Sequence, residues 1–106
     1  MGIYSLANFR SYQLSVEFHR QCRDYRLPGY LKNQLLRAAS SVSLNLAEGC
    51  GKTSDRDRLR FYSIAMGSVR EVQAALDLAP TQNARLKCLA DQLGGAVYKL
   101  CSKKNQ

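Results

Sequence analysis

A chain of 106 residues with 16 Lys and Arg against 8 Asp and Glu, a formal net charge of +8, is one domain spanning residues 1–106 and suits polyanionic partners. A charge of this size also keeps a small domain soluble, so two classes stay open: a nucleic-acid-associated protein and a scaffold for other proteins. Apolar residues at 45% and charged residues at 23% are globular proportions. No apolar run nears the roughly 18 residues of a membrane span, and the start MGIYSLANFR lacks the basic lead and apolar core of a signal peptide. A cytoplasmic protein with no membrane role is expected.

The first helix is predicted over residues 6–25. Phe9, Tyr12 and Val16 share one stripe, and Leu14, Phe18, Cys22 and Tyr25 share another, so this helix has two contacts to make. Basic residues gather toward its C-terminal end, where cations suit the helix dipole. Leu27-Pro28-Gly29 stops it, because proline disfavours the helical conformation at the residue before it and can open the next helix.

The second helix is predicted from Tyr30 to Glu48. Leu35, Ala39, Val42 and Leu46 line its core face. A flank of Leu36, Ser40, Ser43, Leu44 and Ala47 is small or apolar, so neighbours are expected around most of its circumference. Gly49-Cys50-Gly51 ends it, with glycine able to supply a left-handed cap. Thr53 or Ser54 can cap the third helix, and Ser54 with Asp57 resembles a capping box with a shorter acid. Tyr62, Ala65, Met66, Val69, Val72 and Leu76 form its apolar stripe up to about Ala79. Gly67 lies within it beside Ser63 and Ser68, which suggests a close helix approach, with simple tolerance as the rival reading.

Pro80-Thr81 separates a fourth helix, about 82–102, whose Leu86, Leu89, Leu93, Val97 and Leu100 keep helical spacing. Gly94-Gly95 in its middle mark a possible kink, and residues 103–106 are expected to fray. Four helices with short connections and no period-2 segment predict an all-α, antiparallel up-down-up-down four-helix bundle. In so short a chain, the two-sided apolar stripes also predict self-association.

Catalysis has thin support. His19 is the lone histidine, no serine has an obvious base beside it, and Glu17, Asp24, Glu48 and Glu71 show no spacing that recommends a carboxylate pair. GCGK at 49–52 lacks the spacing of a phosphate loop and a preceding strand. Cys22, Cys50, Cys88 and Cys101 are scattered without a CxxC pair, so free thiols are expected, Cys22, Cys88 and Cys101 on helices. No enzyme activity, metal or cofactor is expected.

One polar pattern runs through the centre. Arg37, Ser41, Asn45 and Glu48 fall on one side of the second helix, and Arg60, Ile64, Ser68 and Glu71 share an arc of the third. Positive ends precede negative ends on both, so an antiparallel pairing predicts Arg37 facing Glu71 and Glu48 facing Arg60 in one register, as buried pairs that lock the helices, with a ligand site as the rival reading.

The segments Arg37-Ala38-Ala39, Ser41-Val42, Asn45-Leu46-Ala47-Glu48-Gly49, then Lys52, Ser54, Ala65-Met66-Gly67-Ser68 and Glu71-Val72 resemble a bacterial four-helix-bundle family. That family includes the proteins encoded by intervening sequences in 23S ribosomal RNA genes and the accessory variability determinant of diversity-generating retroelements. The resemblance spans residues 27–79. It implies a homopentameric barrel or funnel with a basic surface and no enzyme activity. In the retroelement branch it also implies association with RNA or DNA and with a partner reverse transcriptase. Lys52 stands where the family often has arginine, Val72 where leucine is usual, and Gly94-Gly95 depart in the fourth helix. For nucleic acid, the candidate contacts are Arg20, Arg23 and Arg26 at the end of the first helix and Lys52 and Arg56 around the second turn. A bundle puts these at opposite ends, and a ring repeats each patch, which supplies avidity.

Overall fold

The computed structural model of the protein describes residues 5–102. A 3-10 turn at Leu6–Asn8 leads into four α-helices: α1 (Arg10–Asp24), α2 (Gly29–Cys50), α3 (Asp55–Leu78) and α4 (Ala84–Ser102). There is no strand among the described residues. The expected first helix is broken at Phe9, whose backbone is extended (φ −94°, ψ 98°). Ser5 caps the short turn by accepting the Ala7 N–H, and the Phe9 ring goes to Tyr62 at the start of α3, centroids 6.0 Å apart. Packing that half-buried ring on Tyr62 accompanies the departure from the helical path, a tertiary effect that helical spacing does not register.

Cross-links show that consecutive helices run antiparallel. Between α1 and α2, Ser15 Oγ lies 2.8 Å from Ser43 Oγ and His19 Nε2 lies 3.1 Å from Ser40 Oγ. Between α2 and α3, Ser41 Oγ meets Ser68 Oγ at 2.7 Å. Between α3 and α4, Gln73 Nε2 donates to Asp91 Oδ1 at 3.1 Å. Contacts of α1 with α4 close the square, and the molecule measures 42 × 24 × 20 Å. Inside, the predicted stripes meet: Phe18, Cys22, Leu35, Val42, Leu46, Val69, Val72, Leu93 and Val97 are wholly buried. On the outer flank of α2, Leu36, Ser40, Ser43 and Ala47 are half-buried. Leu44 stays 68% exposed, so within one chain α2 is less enclosed than its composition predicts.

The glycines act differently from the sequence expectation. Gly51 has φ −84° and ψ −5°, and no described residue has positive φ, so α2 ends without a left-handed cap. Gly49 is needed for space instead: a Cβ there would lie 2.7 Å from Tyr62 Cε1. Gly67 is exposed with nothing within 4 Å of a Cβ, so it marks no helix approach. At Gly94 a Cβ would make an ordinary contact with Val69 Cγ1 at 3.4 Å, and α4 runs through Gly94-Gly95 without interruption. Cys50 proves to be the last residue of α2 and is buried, so all four cysteines lie on helices. The expected fraying at 103–106 lies outside the described residues.

Ends and turns are held by polar contacts. Ser54 accepts the Asp57 N–H at 3.1 Å and caps α3, while Asn83 accepts the Leu86 N–H at 3.0 Å and serves α4 in the same way. Arg58 spans the α2–α3 turn, binding Asp55 at 2.7 Å and the Lys52 carbonyl at 2.9 Å. Among the described residues no helix is long and apolar enough to cross a membrane.

Candidate nucleic-acid interface

Arg20, Arg23 and Arg26 are all exposed and lie on the last turns of α1 and the loop after it. Arg20 stands 3.8 Å from Glu17, both largely solvated, a separation at which an exposed pair contributes little. Among the described residues neither Arg23 nor Arg26 has a carboxylate partner. The fold adds Lys32, which sequence reasoning missed. From the first turns of α2 its Nζ donates to the carbonyls of Arg23, at 2.9 Å, and of Tyr25, so it satisfies the open end of α1 and adds a cation beside Arg26. At the same end Tyr25 O–H donates to the Thr81 carbonyl.

Lys52 and Arg56 are at the other end, across the α2–α3 turn. Arg56 is exposed. Lys52 is engaged, with Nζ 3.2 Å from Glu48 and 5.3 Å from the centre of the Phe61 ring. The Arg60 guanidinium lies 4.6 Å from the same ring. Lys52, Arg60 and Phe61 therefore group two cations around one aromatic, an arrangement favoured by the ring quadrupole. The structure does not unite the two patches, since one sits with the α1–α2 turn and the other with the α2–α3 turn.

The polar stripe between α2 and α3 follows the expected register at its centre only. Ser41 and Ser68 meet at 2.7 Å, and Asn45 Nδ2 donates to the Ser41 carbonyl at 2.9 Å and to its hydroxyl at 3.1 Å. Neither expected ion pair forms. Arg37, Glu48, Arg60 and Glu71 are all exposed, with Glu48 turned to Lys52 and Arg60 to Phe61. Helical spacing placed the stripe toward the partner helix correctly, but its outer members sit beyond the contact line. There, hydration and side-chain entropy outweigh an exposed ion pair. These four charges remain at the surface, and the locking role falls to the serine pair.

A family model described as 23S rRNA-intervening sequence protein matches residues 7–103. The chain belongs to that family. Comparison with curated proteins and with solved structures finds no match. The family match takes in all four helices, a wider span than the motif segments on α2 and α3 that suggested it. In this family member those segments do structural work that the geometry makes explicit: Ser41 and Ser68 bond across the helices, Gly49 admits the Tyr62 ring, and Ser54 caps α3.

A second feature escaped the sequence reading. Between α1 and α2 a groove of about 300 Å³ is lined by Val16, Leu44, Arg20 and Arg23, with His19 bonded to Ser40. Burial first, and Arg23 second, lower the pKa of His19 below its ordinary 6.5, so at neutral pH the ring is uncharged and offers one donor and one acceptor. His19 and Ser40 come from different helices, and only the antiparallel register brings them together.

Proposed function

We propose that this chain is a non-enzymatic, basic protein of the cytoplasm that assembles into a cyclic homo-oligomer, a pentamer being the expected ring, and binds RNA or other nucleic acid. The observation that carries the reading is the cationic edge at the α1–α2 end. Arg23 and Arg26 are exposed with no carboxylate partner among the described residues, and Lys32 lies beside them. The family's description, tied to intervening sequences of 23S rRNA, is compatible with a nucleic-acid role. Self-association is supported by Ile64 at 45%, Tyr98 at 64% and Leu78 at 71% exposure, large apolar side chains that one chain leaves uncovered. Ring repetition multiplies a modest patch into useful avidity.

The test is RNA binding as a function of salt for the wild type and for Arg20→Ala with Arg23→Ala. Neutralised phosphates release counterions, so the wild type weakens steeply with salt and shows little sequence preference. The double variant binds more weakly with a shallower slope, by about 2 if each arginine meets one phosphate. Absence of binding at about 50 mM salt, or a double variant identical to wild type, favours the protein scaffold, whose charge serves solubility.

A further inference from the structure

The α1–α2 groove is more than a piece of basic surface. Its lining joins Arg20 and Arg23 to the apolar Val16 and Leu44, the latter 68% exposed. Its inner wall is fixed. Ser15 O–H donates to the Tyr12 carbonyl at 2.6 Å, so Ser43 is the donor in the 2.8 Å bond between Ser43 and Ser15. His19 and Ser40 add a neutral donor and acceptor pair at 3.1 Å. The volume of about 300 Å³ is at the small end of ligand sites. The cleft between α3 and α4 is different, since its cation, Lys87, is paired with Asp77 at 3.1 Å and Asp91 adds a second carboxylate, so among the described residues it offers a phosphate no free cation.

A solvated phosphate alone needs no apolar lining, and an apolar ligand alone needs no arginines. The combination matches a phosphate joined to a flat, largely apolar ring with polar edges. We infer that the groove receives one nucleotide of single-stranded RNA, its phosphate between Arg20 and Arg23 and its base on Val16 and Leu44 with an edge toward His19 and Ser40. This rests on the nucleic-acid reading above and sharpens it. A base inside a duplex is stacked and cannot enter a recess of this kind, whereas an unpaired base can be turned out into it. The groove therefore discriminates between strands, while Arg26, Lys32 and Arg56 act only on the phosphate backbone.

His19 is the only histidine in the chain, so its ring proton gives one resolved NMR signal inside the groove. The experiment titrates the full chain with a short oligouridylate while fluorescence anisotropy follows affinity for that strand and for a duplex RNA of equal length. The His19 signal is expected to shift in step with single-strand binding and to stay still on duplex binding. Leu44→Gln, at an exposed position, and Ser40→Phe, which fills the recess, each weaken single-strand binding about tenfold. Both leave duplex binding and the salt slope unchanged. If the single strand binds and neither the His19 signal nor the two variants respond, the groove assignment is overturned and backbone binding stands. If Leu44→Gln alters the mass of the assembly, the groove is a subunit contact and the assignment is likewise overturned. If no RNA binds even at low salt, the nucleic-acid reading itself fails.

Discussion

Gly49→Ala sets two well-known effects against each other. Alanine is the better helix former by about 1 kcal/mol, and Gly49 lies inside α2 with ordinary helical neighbours, so local propensity predicts a gain. The structure predicts a loss. The new Cβ would lie 2.7 Å and 2.9 Å from two carbons of the Tyr62 ring and 3.2 Å from the Arg58 carbonyl oxygen. The ring is only 6% exposed and rests on Phe9. The carbonyl belongs to the first turn of α3, which Ser54 and Arg58 hold in place. Neither neighbour can give way freely, so α2 and α3 must separate locally. Overpacking of this kind costs about 1–3 kcal/mol, which against the propensity gain leaves a net loss of up to about 2 kcal/mol, or up to roughly 10 °C in Tm for a domain of this size. The assay is thermal unfolding by circular dichroism at one protein concentration, with Gly67→Ala alongside. At Gly67 nothing lies within 4 Å of the new Cβ, so that substitution stabilises by about 0.5–1 kcal/mol. The two alanines are thus expected to move Tm in opposite directions. A Gly49→Ala protein more stable than wild type by the full propensity gain, as expected for Gly67→Ala, would refute the claim that this contact sets the α2–α3 spacing.

The serine pair gives a complementary prediction. Ser68→Ala leaves the Ser41 hydroxyl without its cross-helix partner and destabilises by about 1 kcal/mol, whereas replacing both serines by alanine is close to neutral, as unfolding in urea will show. A double-mutant cycle on Arg37 and Glu71 returns a coupling below about 0.5 kcal/mol, because both side chains are exposed; a coupling of several kcal/mol means the ion pair forms in solution. Toward high pH, burial raises the Cys22 thiol from 9.0 and the Tyr62 phenol from 10.0, each to about 12. The folded groups stay protonated where the unfolded ones ionise, so these groups leave stability level below pH 9.0 and lower it between there and about pH 12, as urea midpoints across that range will show. A thiol reagent at mild pH modifies exposed Cys88 rapidly and buried Cys22 only at the rate of global opening. Comparable rates at the two would show that α1 is not held in the core.

The helical repeat of the core was plain in the sequence. Leu35, Ala39, Val42 and Leu46 could face only inward together, and they do. The antiparallel register of α2 and α3 was legible as well, down to the level of Ser41 and Ser68. Depth was not legible, because periodicity gives the direction of a side chain and not its distance from the contact line. Arg37, Glu48, Arg60 and Glu71 stay in water, with Glu48 on Lys52 and Arg60 on Phe61 in place of the expected partners. Nor does a glycine declare its own role. Gly67 looked like the close approach and Gly49 like part of a helix stop, but what decides is the opposing side chain, absent at Gly67 and Tyr62 at Gly49. At the candidate interface, the arginines at the end of α1 were visible as a run of charge. Lys32 capping α1 and the His19–Ser40 bond were not, since each joins residues from two helices whose rotation about their axes is settled only by packing.

Sedimentation of the protein with a fluorescent single-stranded RNA tests the central claim most directly, because one run reads both assembly and binding. The account predicts a single protein species of about five times the 11.9 kDa chain that carries the RNA with it at about 50 mM salt and releases it as salt is raised through about 200 mM. A protein that sediments as one chain at micromolar concentration, or a ring that leaves the RNA behind at low salt, contradicts it.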